Sequence, residues 1–252
     1  MTPRFSCALN GVTPESIDPA VRVTDLTELP PRRRVASVPT PRHGLRLLRR
    51  VRESLTIRVS FLIAEYDPAR RRALVSRLHA WADPGGVLTT SDRPGQRLTV
   101  ECDTLPMLSA LSWSDVLHID FTAYRTPFWE YADETQVITE DTQTLLLPGD
   151  AEEIPVSCEA TNTGSAPVTA LTLRCGDTQL TFSGLALAPG ETLSVTVADG
   201  LLRAAVSGES ALMLRTGDSS DLLLADGGTP ATVSVAADQS MHAVFHARGR
   251  LL

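Results

Sequence analysis

The sequence predicts a mainly β protein with one main helix: an α+β first half followed by an all-β sandwich. Three observations predict it. Residues 67–82 show helical spacing of apolar side chains between a start signal and a stop signal. Several runs in the first half alternate apolar and polar residues with a period of two. Beyond residue 145, short β-prone runs recur between turns rich in Gly, Pro, Asn and Asp. Charge divides the chain near residue 131. Residues 1–130 hold 18 Arg against 14 Asp plus Glu, net +4, and residues 131–252 hold 5 Arg against 16 acids, net −11. The expected organisation is therefore a domain over residues 1–130, a polar linker over 131–145 and a second domain over 146–252.

The first half reads element by element. Asn10-Gly11, set between apolar residues, marks a strand entering a tight turn, since Asn and Gly accept positive φ. Ile17, Val21, Val23 and Leu26 add apolar positions. Residues 30–44 hold too many prolines for a helix or a core strand and are expected as a loop or an extended arm. Residues 45–52 alternate apolar and basic side chains, which fits either a continuing strand or a projecting hairpin. Leu55, Ile57, Val59, Phe61 and Ile63 then mark a core strand. Asp67 and Pro68 start the helix, Leu74, Val75, Leu78, Trp81 and Ala82 form its apolar stripe, and Pro84-Gly85-Gly86 ends it. Arg70, Arg71, Arg72 and Arg77 are expected off that stripe. Residues 87–90 are β-prone, residues 91–95 are a turn, and two further strands follow through Leu98, Val100 and Cys102 and through Leu117, Ile119, Phe121 and Ala123. One apolar helix stripe and one apolar sheet face imply a helix packed on an antiparallel sheet.

The second half changes to β-prone runs of three to seven residues divided by Asn162-Thr163-Gly164, Cys175-Gly176-Asp177, Pro189-Gly190, Asp199-Gly200 and Gly227-Gly228. Such spacing indicates a β-sandwich.

Composition excludes several function classes. At 252 residues and 42% hydrophobic, the chain has enough apolar surface for packed cores. Its longest apolar runs, such as Leu145-Leu146-Leu147, fall far short of the ~20 residues that span a bilayer. The first ten residues lack the charged start and apolar block of a secretory signal, so synthesis in the cytoplasm without export is expected. Cys7, Cys102, Cys158 and Cys175 stand singly, without zinc or redox spacing, and are expected as reduced thiols. His242 and His246 alternate with Met241, Ala243 and Phe245 as in a strand and lack a third ligand. His43, His79 and His118 have no serine or cysteine in a nucleophile turn. Asp218-Ser219-Ser220-Asp221 lacks the spacing of a calcium loop. Trp81, Trp113 and Trp129 are expected in a core or an interface rather than on a sugar. No catalytic, metal or cofactor residues are expected.

Arg32-Arg33-Arg34 in the arm and Arg70-Arg71-Arg72 at the helix start are the candidate functional residues. Arginine engages carboxylates through two parallel hydrogen bonds, which gives orientation as well as attraction. A nucleic-acid platform would interleave aromatic residues, and these are missing, so a subunit interface is the expected role and specific nucleic-acid binding is not.

The order of these parts resembles the distal tail proteins, or Dit, of long-tailed bacteriophages. The resemblance lies in the strand, the arginine-led helix ending in Trp81-Ala82 and Gly85-Gly86, and the turn Ser91-Asp92-Arg93-Pro94-Gly95. It continues in the strand Ile119-Asp120-Phe121-Thr122-Ala123-Tyr124, which runs into Pro127-Phe128-Trp129. In the second half, Asn162-Thr163-Gly164-Ser165-Ala166-Pro167-Val168 and Pro189-Gly190-Glu191-Thr192-Leu193 resemble that family's galectin-like sandwich. Residues 30–52 match no motif. The resemblance implies a structural, non-enzymatic protein of the virion tail tip that forms a homohexameric ring. It also implies a tail-tube protein on one side, a tail-associated hub protein on the other, and receptor-binding or other baseplate proteins nearby. The rival expectation is a carbohydrate-binding sandwich for host surface glycans. Residues 183–244 contain no Trp, Tyr or Phe, which counts against it.

Overall fold

A computed structural model describes residues 5–39, 45–104, 116–198 and 200–251. It is mainly β with one long helix, and it divides into two compact units, residues 1–129 and 130–252. His43 and Trp113 lie outside the described residues.

The first unit runs β1 (Cys7–Leu9), a single helical turn α1 (Pro14–Ile17), β2 (Val21–Glu28), β3 (Arg32–Pro39) and β4 (Leu45–Ile63). It continues with α2 (Pro68–Ala82), β5 (Gly86–Thr90), β6 (Gln96–Thr104) and β7 (Val116–Ala123). The sheet order is β1-β5-β6-β7-β4-β2, with antiparallel neighbours throughout. Leu55, Ile57, Val59, Phe61 and Ile63 of β4 and Leu117, Ile119, Phe121 and Ala123 of β7 are buried beneath Leu74, Val75, Leu78 and Ala82 of α2. Trp81 joins the two layers: its ring meets Phe61 and Phe121 edge-on, with centroids 6.0 and 5.8 Å away, and its Nε1 donates to the Val12 carbonyl at 3.0 Å.

The ends of α2 follow from their residues. The Asp67 carboxylate accepts from the Ala69 N–H at 3.0 Å, meeting one of the donors the first turn leaves free. At the other end Gly85 has φ +61° and Gly86 φ +129°. A side chain at Gly85 would sit 2.5 Å from the Val100 carbonyl. Asn10 locks this turn, donating from Nδ2 to the Gly85 carbonyl and accepting from the Val87 N–H, both at 2.9 Å.

Arg71 departs from the expectation. It lies three and four residues before Leu74 and Val75, so helical spacing places it on the apolar stripe, and it is only 6% exposed. One of its terminal nitrogens has no hydrogen-bond partner among the described residues. A buried donor left unpaired destabilises by ~1–3 kcal/mol, so Arg71→Met is expected to raise stability by about 1 kcal/mol in urea denaturation. A loss of that size would show that the guanidinium is satisfied.

β8 (Trp129–Tyr131) leads into the second unit, which begins with β9 (Thr135–Thr139) and β10 (Thr142–Leu145). Here the expected linker, residues 131–145, is replaced by two strands. β9 pairs with the strand Met241–Ala247 and β10 with the strand Ala231–Ala237, one in each sheet of the unit. Both are edge strands with few core-facing side chains, so their sequence is polar although each pairs along one side with its neighbour.

The remaining elements are β11 (Ile154–Pro155), β12 (Ser157–Asn162), β13 (Val168–Cys175), β14 (Thr178–Leu187), β15 (Thr192–Ala198), β16 (Leu201–Val206) and β17 (Glu209–Ser210). A 3₁₀ turn (Leu212–Leu214), β18 (Leu224–Ala225), β19 (Ala231–Ala237) and β20 (Met241–Ala247) follow. Two sheets, β10-β19-β13-β14 and β17-β16-β15-β12-β20-β9, bury their alternating apolar residues, while β11 and β18 form a separate pair. Phe182, Phe245, Leu171, Leu173, Leu193 and Val195 are buried in this core.

Candidate assembly interface

The 19 residues of β4 exceed what the sheet uses. Ile57–Ile63 pairs with β2, and Leu55–Leu62 pairs with β7 on the other side. Among the described residues, the stretch before Leu55 pairs only with β3, in a register from Arg32 opposite Ser54 to Pro39 opposite Leu45. At ~3.3 Å per residue, those ten residues carry a two-stranded arm about 30 Å past the sheet. The expected loop or extended arm is thus a hairpin whose prolines flank the strand: Pro30 and Pro31 precede it, Pro39 closes it and Pro41 follows.

The β3 leg of the arm is exposed, and the arm's sequence is densely basic. Arg32, Arg33, Arg34, Val35, Ala36, Ser37 and Val38 are all exposed. Residues 32–54 hold eight Arg and one acid, Glu53, net +7. The rest of the chain holds 15 Arg against 29 acids. Arg33 stands directly opposite Arg52, a like-charge pairing that weakens an isolated ribbon.

The root of the arm is held by the residues around Pro127-Phe128-Trp129. Arg52 donates to the Pro127 carbonyl at 3.3 Å and lies 5.0 Å over the Phe128 ring. Arg93 pairs with Glu28 at 2.8 Å and lies 5.2 Å over the buried Trp129 ring, whose Nε1 also donates to Glu28 at 3.1 Å. Glu28 ends β2 and Arg52 lies on the returning strand, so both legs of the hairpin are fixed where they leave the sheet. Spacing alone hid this link, because the partners lie 65–101 residues apart.

The helix arginines divide by exposure. Arg70 is exposed and pairs with Glu65 at 3.0 Å, Arg72 is exposed, and Arg71 is buried beneath them. Arg77 donates to the Ile17 carbonyl.

The face of the sheet turned away from α2 carries a polar, partly buried ladder between β4, β7 and β6. Arg58 and Asp120 form a bidentate pair at 2.7 and 2.8 Å, Thr56 meets Thr122 at 2.8 Å, and Asp103 accepts from Thr122 at 2.7 Å. Ser60 Oγ lies 2.9 Å from His118 Nδ1. That contact has the atoms of a nucleophile and base, but Ser60 is buried inside a strand and Asp120 is engaged by Arg58 rather than by the imidazole. The arrangement is a cross-strand ladder.

The hydrogen bonds from Arg58 hold the Asp120 carboxyl below the ordinary aspartate value. A carboxylate stabilised in the folded state contributes above its unfolded pKa and loses that contribution as pH falls through the folded value. Asp120→Asn is therefore expected to destabilise at pH 7 and to flatten the acid limb of the stability curve below about pH 4. Urea midpoints of both proteins across that range test it, and parallel curves would contradict it.

In the second unit, His242 and His246 both lie on β20, four residues apart along a strand, so their Cα atoms are about 13 Å apart. That is too far for one ion. His246 Nδ1 instead meets Glu134 at 3.3 Å. Among the described residues no group of three His, Cys, Asp or Glu side chains is placed to hold a metal.

No protein-family model matches this chain, and no curated protein sequence matches it. Among solved structures, the SPP1 Dit (gp 19.1) protein, described as a paradigm of the hub adsorption apparatus in phages that infect Gram-positive bacteria, matches with a TM-score of 0.70. The two are 11% identical over 97% of this chain and 98% of that one. A chain of the phage P2 baseplate in its activated conformation with calcium matches with a TM-score of 0.46 at 10% identity, over 99% of this chain and 98% of that one. The likeness to SPP1 Dit is one of fold. Over nearly its whole length, this chain has the fold of a phage distal tail protein.

Proposed function

We propose that this chain is a structural protein of a phage tail, a distal tail protein whose copies close into a ring joining the tail tube to the tail-tip or baseplate hub. The observation that carries the reading is the fold shared with SPP1 Dit across 97% of the chain. The basic arm, with its exposed β3 leg, supports it. A ring of identical subunits needs two different patches that meet between neighbours, and an arm that is unfavourable alone supplies one of them. The subunit contact is assigned to Arg32, Arg33, Arg34, Arg70 and Arg72. Arg71, being buried, is left out of that contact. The partners are further copies of the chain, a tail-tube protein and a tail-associated hub protein, and the place is the tail tip of the virion.

The second unit is read as a galectin-like sandwich with a scaffolding role. Its aromatic residues are Tyr131, Phe182 and Phe245, and both phenylalanines are buried, so it offers no stacking platform for a sugar. Gold-labelled antibody against the chain tests the assignment on intact tails. Label confined to the junction of tube and tip is expected; label along the tube, or none on the tail, would contradict it.

A further inference from the structure

The second unit has an open groove of about 330 Å³ at the end of the sheet formed by β15, β16 and β17. Leu185, Val206, Ala211 and Leu214 line it with apolar side chains, and two carboxylates join them: Glu209, and Glu191, which also accepts from the Ala188 N–H at 2.8 Å and from Ser207 Oγ at 3.2 Å. Met213, beside it on the 3₁₀ turn, is 92% exposed. The arm has the complementary chemistry. Val35, Val38 and Val51 are exposed among Arg32, Arg33 and Arg34, so the ribbon presents apolar side chains interleaved with fixed positive charge.

We propose that the arm of one copy seats in the groove of the second unit of a neighbouring copy, valines on the apolar lining and arginines at Glu191 and Glu209. This rests on the reading that copies of the chain stand side by side in a ring. Charge selects the occupant: the arm is net +7, and residues 131–252 of every copy are net −11. The valines favour a protein surface over a nucleic acid, whose bases stack on aromatic rings rather than on aliphatic side chains. A reach of about 30 Å is of the order of a small domain's diameter, which suits a contact between copies.

The test mixes two populations of the full-length chain. One carries Val38→Cys on the arm and the other Met213→Cys beside the groove, and a short bismaleimide links them. Both positions are exposed, so neither substitution disturbs a core. A cross-linked dimer between the two populations is expected, with its yield lowered about tenfold by Glu209→Arg. The unsubstituted chain, whose Cys102 is half-buried, sets the background. A ring seen by mass photometry without the cross-link overturns this seat and leaves the ring standing. A chain that stays monomeric at every concentration overturns the ring reading, and the seat falls with it. An arm that retains duplex DNA at 0.15 M salt while the cross-link is absent shows that it serves a polyanion instead.

Discussion

Asn162→Ala is expected to destabilise the second unit by about 3 kcal/mol, lowering its melting temperature by roughly 10 °C. Asn162 is 1% exposed, and its side chain is fully engaged. Nδ2 donates to the carbonyls of Ala166 and Leu187, both at 2.9 Å, and Oδ1 accepts from the Gly164 N–H at 2.8 Å. Its backbone N–H and C=O meet Glu191 and Gly190 at 3.0 and 2.8 Å. Asn162 ends β12 in one sheet and Leu187 ends β14 in the other, so one amide ties the two sheets and both adjoining turns together. Alanine would leave the Leu187 carbonyl buried without this donor and the half-buried Ala166 carbonyl without its own, while the Gly164 N–H keeps its bond to the Ser240 carbonyl at 3.1 Å. Calorimetry of the full chain would show the effect, and a shift of less than 1 kcal/mol would mean that water replaces the amide.

Reversing the arm charge is expected to weaken ring assembly by about a hundredfold per contact without unfolding the monomer. Arg32→Glu, Arg33→Glu and Arg34→Glu together take the arm from net +7 to net +1. All three side chains are exposed, so the monomer's melting temperature should move little. A single exposed ion pair contributes only ~0–1 kcal/mol, but three reversals also set like charges against each other across the contact. The unchanged protein should show a milder version of the same loss as salt rises. Sedimentation velocity across a salt series tests both parts. An oligomer indifferent to the triple reversal would remove the arginines from the interface.

Local signals carried much of the fold into the sequence. Asp67, Pro68 and Gly85-Gly86 marked the limits of the helix because capping and positive φ are properties of single residues. Leu55 to Ile63 marked the central strand because one face is wet and the other dry. Three features were hidden from that reading. Residues 135–139 and 142–145 read as a linker because edge strands can be polar. Arg71 lay on an apolar stripe that its charge disguised. The arm's pairing, and the anchoring of its root by Arg52 on Phe128 and Arg93 on Trp129, joined residues far apart in sequence. The arginines of the candidate interface were legible as a cluster. Their presentation on a ribbon extending from the sheet was not, since nothing local in 45–52 separates a strand from a hairpin leg.

Class averages of the full-length chain in electron micrographs, taken at low salt and micromolar concentration, test the central claim most directly. Closed rings with sixfold symmetry and an open centre are predicted. Isolated particles of one copy at every concentration, or open filaments without closure, would contradict it.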